Sequence, residues 1–121
     1  MKNLLTRCAI VVAACSFSGG AYAACEYPAR IEIPDGMTSD KATMLTTQSA
    51  VKEYVAAMEV YLDCIVQEEK EARLELDDLD AEVEQQREDL LNKKYNAAVG
   101  EMETLAARFN EEVQRFRERD Q

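Results

Sequence analysis

The sequence has no histidine and no tryptophan, only two prolines and four glycines, and aromatic residues make up 7% of its 121 positions. Without histidine, no side chain has an ordinary pKa near neutrality, which removes the commonest general base and the commonest metal ligand. Gly19, Gly20, Gly36 and Gly100 form no phosphate-cradling run, and no serine lies in a G-x-S-x-G elbow. Ser39 and Ser49 read instead as a helix cap and a helix surface residue. These absences argue against an enzyme, and no catalytic residue, cofactor or metal is assigned. Positive charge is also scarce, with 14 Lys+Arg against 24 Asp+Glu and a formal charge of −10. Nucleic acids and anionic lipid surfaces both require a basic footprint, so neither is an expected partner.

Residues 1–23 have the grammar of a secretory leader: Lys2 and Arg7, an apolar run over 8–17, Gly19-Gly20, and the small-residue triplet Ala21-Tyr22-Ala23. Cleavage is expected between Ala23 and Ala24, placing the mature protein in the periplasm or outside the cell. A membrane anchor is the weaker reading, because ten apolar residues fall short of the roughly 20 that span a bilayer. Val12-Ala13-Ala14-Cys15 leaves open a lipid-modified Cys15. Removing the leader costs two basic residues and leaves 12 against 24 acidic ones, a charge of −12.

The cysteines beyond the leader are Cys25 and Cys64, an even count in an exported chain, and they are expected to pair. Both prolines lie close together at Pro28 and Pro34, and Pro34-Asp35-Gly36 is a turn signal, so residues 24–38 read as an extended strap ending in a turn. Thr38, Ser39 and Asp40 are successive helix N-caps.

Residues 39–121 contain no proline and one glycine, and they are rich in strong helix formers. Large or apolar residues recur at 3–4 spacing along Met44, Val51, Val55, Met58 and Leu62, and again along Leu91, Tyr95, Ala98, Met102, Leu105 and Phe109. Between the runs, residues 68–82 hold eight acids against Lys70 and Arg73. The expectation is an all-α fold: an antiparallel two-helix hairpin turning near residues 75–80, with the strap laid back along it and joined by the disulfide. Reflection about position 76.5 pairs the two seams and leaves Gln48 as the one polar seam residue. No Gly, Pro or Asn marks the turn, so a single rod of about 80 residues, roughly 120 Å long, is the competing arrangement. It would bury its seam only by self-association, which stays open for the hairpin as well. Asp77, Asp78, Asp80 and Glu82 lack the phasing of a calcium loop and read as a solvated hairpin tip.

At Cys25-Glu-Tyr-Pro, Ile33-Pro-Asp-Gly36, Tyr61-Leu-Asp-Cys64, Lys94-Tyr-Asn-Ala-Ala-Val99 and Arg108-Phe-Asn-Glu111, the chain resembles uncharacterised small exported helical proteins of Gram-negative bacteria. The resemblance implies export, the cysteine pair and the helices; it carries no activity and no catalytic residue. A looser comparison is with periplasmic chaperones of the Spy type, whose motif is Leu-Thr-x-x-Gln. Leu45-Thr46-Thr47-Gln48 is one residue shorter, and the acidic surface departs from the basic one of those chaperones. The functional expectation is a non-enzymatic periplasmic protein acting through contacts with a protein partner that the sequence does not identify. A holdase-type chaperone for exported clients is the alternative.

Overall fold

The computed structural model describes residues 24–119 and 121. The expected leader, with Ala23 at its cleavage site and Cys15 inside it, lies outside the described residues; Ala24 is exposed at their start. The protein is all-α. Helix α1 spans Lys41–Leu74 and helix α2 spans Ala81–Arg119, and the two pack as an antiparallel hairpin.

Local chemistry sets the helix ends. Of the three candidate caps, Asp40 is the one used: its Oδ1 accepts the Thr43 N–H at 2.7 Å. Those hydrogen bonds from Thr43 hold the Asp40 carboxyl below its ordinary pKa. At the other end of the hairpin, α1 stops at Leu74 and α2 starts at Ala81. Asp80 opens α2, its Oδ1 accepting the Glu82 N–H at 3.0 Å and its carbonyl the Glu84 N–H at 3.0 Å. The chain reverses without Gly, Pro or Asn because Asp78 adopts a positive φ of 48°, a conformation that aspartate tolerates better than most side chains. The midpoint between Leu74 and Ala81 is 77.5, one residue beyond the expected centre.

Met44, Val51, Met58, Leu62, Ala98, Leu105 and Phe109 are buried in the seam, joined by Tyr54 and Ile65. Val55, Leu91 and Met102 are only partly buried, packed against the edge of this core. Two expectations are corrected. Gln48 is exposed, and the buried polar residue is its neighbour Thr47, whose hydroxyl donates to the Thr43 carbonyl at 2.9 Å. Thr47 satisfies its polar group within its own helix, so it can occupy the seam where a glutamine amide would need a partner. Tyr95 is 39% exposed rather than buried, because on α2 it lies beside the buried line of Ala98, Leu105 and Phe109.

The strap runs back along the hairpin from Cys25, which is disulfide-bonded to Cys64 with a Cα–Cα distance of 5.7 Å. Partial burial falls at Cys25, Pro28, Ile31, Ile33 and Pro34, and Cys25, Ile31 and Ile33 pack against the core. Its far end is a turn seated on the end of α2. Asp35 Oδ1 accepts the Met37 N–H at 2.8 Å, the Gly36 N–H donates to the Glu112 carboxylate at 2.8 Å, and Arg119 donates to the Ser39 carbonyl at 2.7 Å. Gly36 is buried and touches backbone. A Cβ there would collide with the Glu112 carbonyl oxygen and lie 2.9 Å from the Phe116 nitrogen, so only glycine permits this approach.

Candidate functional site

The strap divides the hairpin into two unlike sides. On the strap side, Tyr27 and Arg30 both reach Glu101 of α2. The Tyr27 hydroxyl donates to its Oε2 at 3.1 Å and Arg30 donates to its Oε1 at 2.8 Å. The Arg30 hydrogen bond holds Glu101 below its ordinary carboxylate pKa. Burial, reinforced by the hydrogen bond to Glu101, pushes the Tyr27 phenol up to about 12. Tyr27 also meets the Tyr61 ring edge-on, with centroids 4.9 Å apart. The Tyr54 hydroxyl is buried beneath the strap in the field of Glu101, yet it makes no hydrogen bond of good geometry. Burial, with the nearby Glu101 charge, raises its phenol pKa. The arrangement anchors the strap and leaves its carboxylate fully engaged.

Beyond this anchor, on the flank facing away from α2, strap and α1 enclose an open groove of about 590 Å³. Its α1 wall is Ala50, Tyr54, Ala57 and Val60, its strap wall is Pro28, Ala29 and Ile31, and Glu26 and Glu53 also line it. Alanines at 50 and 57 let the groove exist, since they stand two turns apart on one face and leave the helix backbone lightly covered. Val60 is 69% exposed at its margin. Apolar walls with a few polar groups are the chemistry of a binding groove.

Comparison with family models, with curated proteins and with solved structures finds no match for this chain. The site is therefore read from its own chemistry. Among the described residues, no three carboxylates or thiols converge on one point that could hold a metal ion, and no helix is long and apolar enough to cross a membrane. At the hairpin tip the acids are exposed, except that Glu69 is clasped by Arg87 at 2.9 Å and Arg73 at 3.1 Å. Burial alone would raise the Glu69 pKa, but the hydrogen bonds from both arginines outweigh it and leave the carboxyl below its usual range.

The residues expected to form the helix seam and the disulfide build the scaffold, whereas the α1 wall of the groove at Ala50, Ala57 and Val60 carries no sequence motif. Ala50, Ala57 and Val60 became legible only once the strap was placed. The one available signal was their position on the Tyr54 side of α1, where the disulfide at Cys64 draws the strap.

Proposed function

We propose that this is a non-enzymatic periplasmic or secreted helical-hairpin protein that acts by holding a protein partner in the groove between its strap and α1. The observation that carries this reading is the groove itself: an apolar floor kept open to solvent beside Val60, with Glu26 and Glu53 among its lining residues. The disulfide and the Glu101 anchor fix the wall formed by the strap, which spares the ordering cost that a flexible binding loop would incur on association. A net acidic chain with two carboxylates in the groove selects for a segment that is apolar with basic flanks.

The test is in-cell photo-crosslinking from Ala57 and Val60, with Gln114 on α2 as a control position. One or two recurrent partners from the groove, absent at the control, are expected; equal yields from all three positions would overturn the assignment. The second reading is a holdase-type chaperone for exported clients. Capture of many unfolded exported clients, with suppression of their aggregation at near-stoichiometric ratios, would select that reading.

A further inference from the structure

The side of the hairpin away from the strap has its own unfinished seam. On α2, Leu91, Val99, Met102, Ala106 and Val113 are half-buried and Tyr95 is exposed, while the strap meets the other side of the same helix at Glu101, with Thr104 and Arg108 lining a cleft beside it. The apolar line on α2 is therefore wider than α1 can cover. We propose that this face is closed by a second copy of the chain, with α2 packed antiparallel on the other copy's α2 about a two-fold axis at Met102.

Three features of the hairpin select this occupant. Counting outward from Met102, half-buried Leu91 is matched by half-buried Val113, and exposed Tyr95 by Phe109, which is packed against α1 and lines a hollow. Such a reversal is what an isologous contact requires, because residue i must meet residue j on both copies at once. The ridge also carries a hollow where the reversal needs one. Met44, Leu45, Phe109 and Val113 line a depression of about 260 Å³, at the level where the other copy's Tyr95 arrives. An exposed tyrosine on each copy thus faces a hollow on the other, an aromatic anchor in an apolar pocket.

Charge gives the direction. Helix α2 starts acidic, with Glu82 and Glu84 in its first turn and Glu88 one turn on, and it ends basic at Arg117 and Arg119. Arg117 lines the rim of the hollow and, like Glu84 and Glu88, makes no ion pair among the described residues. Antiparallel packing sets the acidic start of each ridge beside the basic end of the other, whereas parallel packing would stack like charges. The dimer leaves both strap-side grooves outward and open, so it is independent of the function proposed above.

Sedimentation equilibrium of the purified oxidised protein is expected to show a dimer, and Tyr95→Glu to raise its dissociation constant by at least about tenfold. Because Tyr95 is already exposed, helix content by circular dichroism should be unchanged in that variant. Orientation is read by single cysteines: Met102→Cys is expected to cross-link to itself under mild oxidation, and Tyr95→Cys is not, since the axis separates its two copies by about 20 Å. Arg117→Glu should weaken the dimer and Glu88→Lys should restore it in the double variant. A monomer at high concentration overturns the proposal. So does a dimer indifferent to Tyr95→Glu, or one in which Tyr95→Cys cross-links as readily as Met102→Cys.

Discussion

Replacing Cys25 and Cys64 together with serine tests the central mechanical element. The bridge has a sequence separation of 39 and closes a loop of 40 residues, counting both ends. In the chain-entropy account this loop stabilises the folded state by about 4 kcal/mol through restriction of the unfolded chain. A hairpin of about 100 residues unfolds with an entropy near 0.2 kcal/mol/K, so the melting temperature should fall by about 20 °C. Circular dichroism at 222 nm measures it, and reduction of the wild-type protein should reproduce the shift. A second readout isolates the strap. The turn at Gly36 has its own contacts with Glu112 and Arg119, so loss of the bridge should free the strap from its Cys25 end while the far end stays seated. Tyr27 reports this directly. Held against Tyr61 and Glu101 it ionises at about 12, and on release it should return toward 10. Its pKa is raised on folding, so its share of stability is complete below pH 10 and is lost as pH climbs toward 12. A drop in melting temperature under about 5 °C, together with an unmoved Tyr27 titration by NMR, would refute the view that the bridge holds the strap.

The two glycines in the described chain should respond in opposite directions. Gly36→Ala drives a methyl into the Glu112 and Phe116 backbone and should destabilise by about 1–3 kcal/mol, whereas Gly100→Ala, with nothing within 4 Å of the new Cβ, should stabilise by about 0.5–1 kcal/mol. Equal thermal shifts for the pair would contradict the seating of the turn on α2. Glu101→Gln should loosen the strap at neutral pH. In the wild type the carboxyl pKa is lowered by Arg30, so its contribution is present above about pH 4.5 and disappears as pH falls through the lowered value; the Tyr27 ring resonances followed by NMR across pH 6 to 2 should show that loss in the wild type and not in the variant. Asp78→Gly removes the cost of a side chain at φ 48° and should raise stability by up to about 1 kcal/mol by denaturant unfolding; a decrease would mean that the Asp78 side chain itself secures the turn.

The hairpin and strap were legible in the sequence because each level of the code agreed. Proline placement, a proline-free run of helix formers, two apolar lines and two cysteines all specify the same path. What escaped were features decided by one residue of register or by a single torsion. Thr47 and not Gln48 is buried because of the face that α1 turns toward α2, and the reversal at the hairpin tip depends on Asp78 entering a left-handed conformation that no composition rule would single out. Tyr95 escaped for a different reason. A 3–4 pattern of apolar residues states that a helix has a buried face, but it does not state how many neighbours share that face.

That ambiguity bears on both surfaces of the molecule. A helix packed against one neighbour needs an apolar stripe, and α2 has two: Ala98, Leu105 and Phe109 meet α1, while Tyr95, Val99, Met102 and Val113 border them on the side the strap leaves bare. On α1 the asymmetry is reversed. Its strap side is cut back to alanine at 50 and 57, which opens a groove where larger residues would have let the strap pack flush. Burial of a fixed strap would be improved by filling that groove, so stability of the hairpin alone does not account for the two alanines. Substituting Ala57 with leucine separates the demands: a stabilised protein that loses its crosslinked partner would show that the groove is kept open for binding, and a stabilised protein that retains the partner would place binding elsewhere.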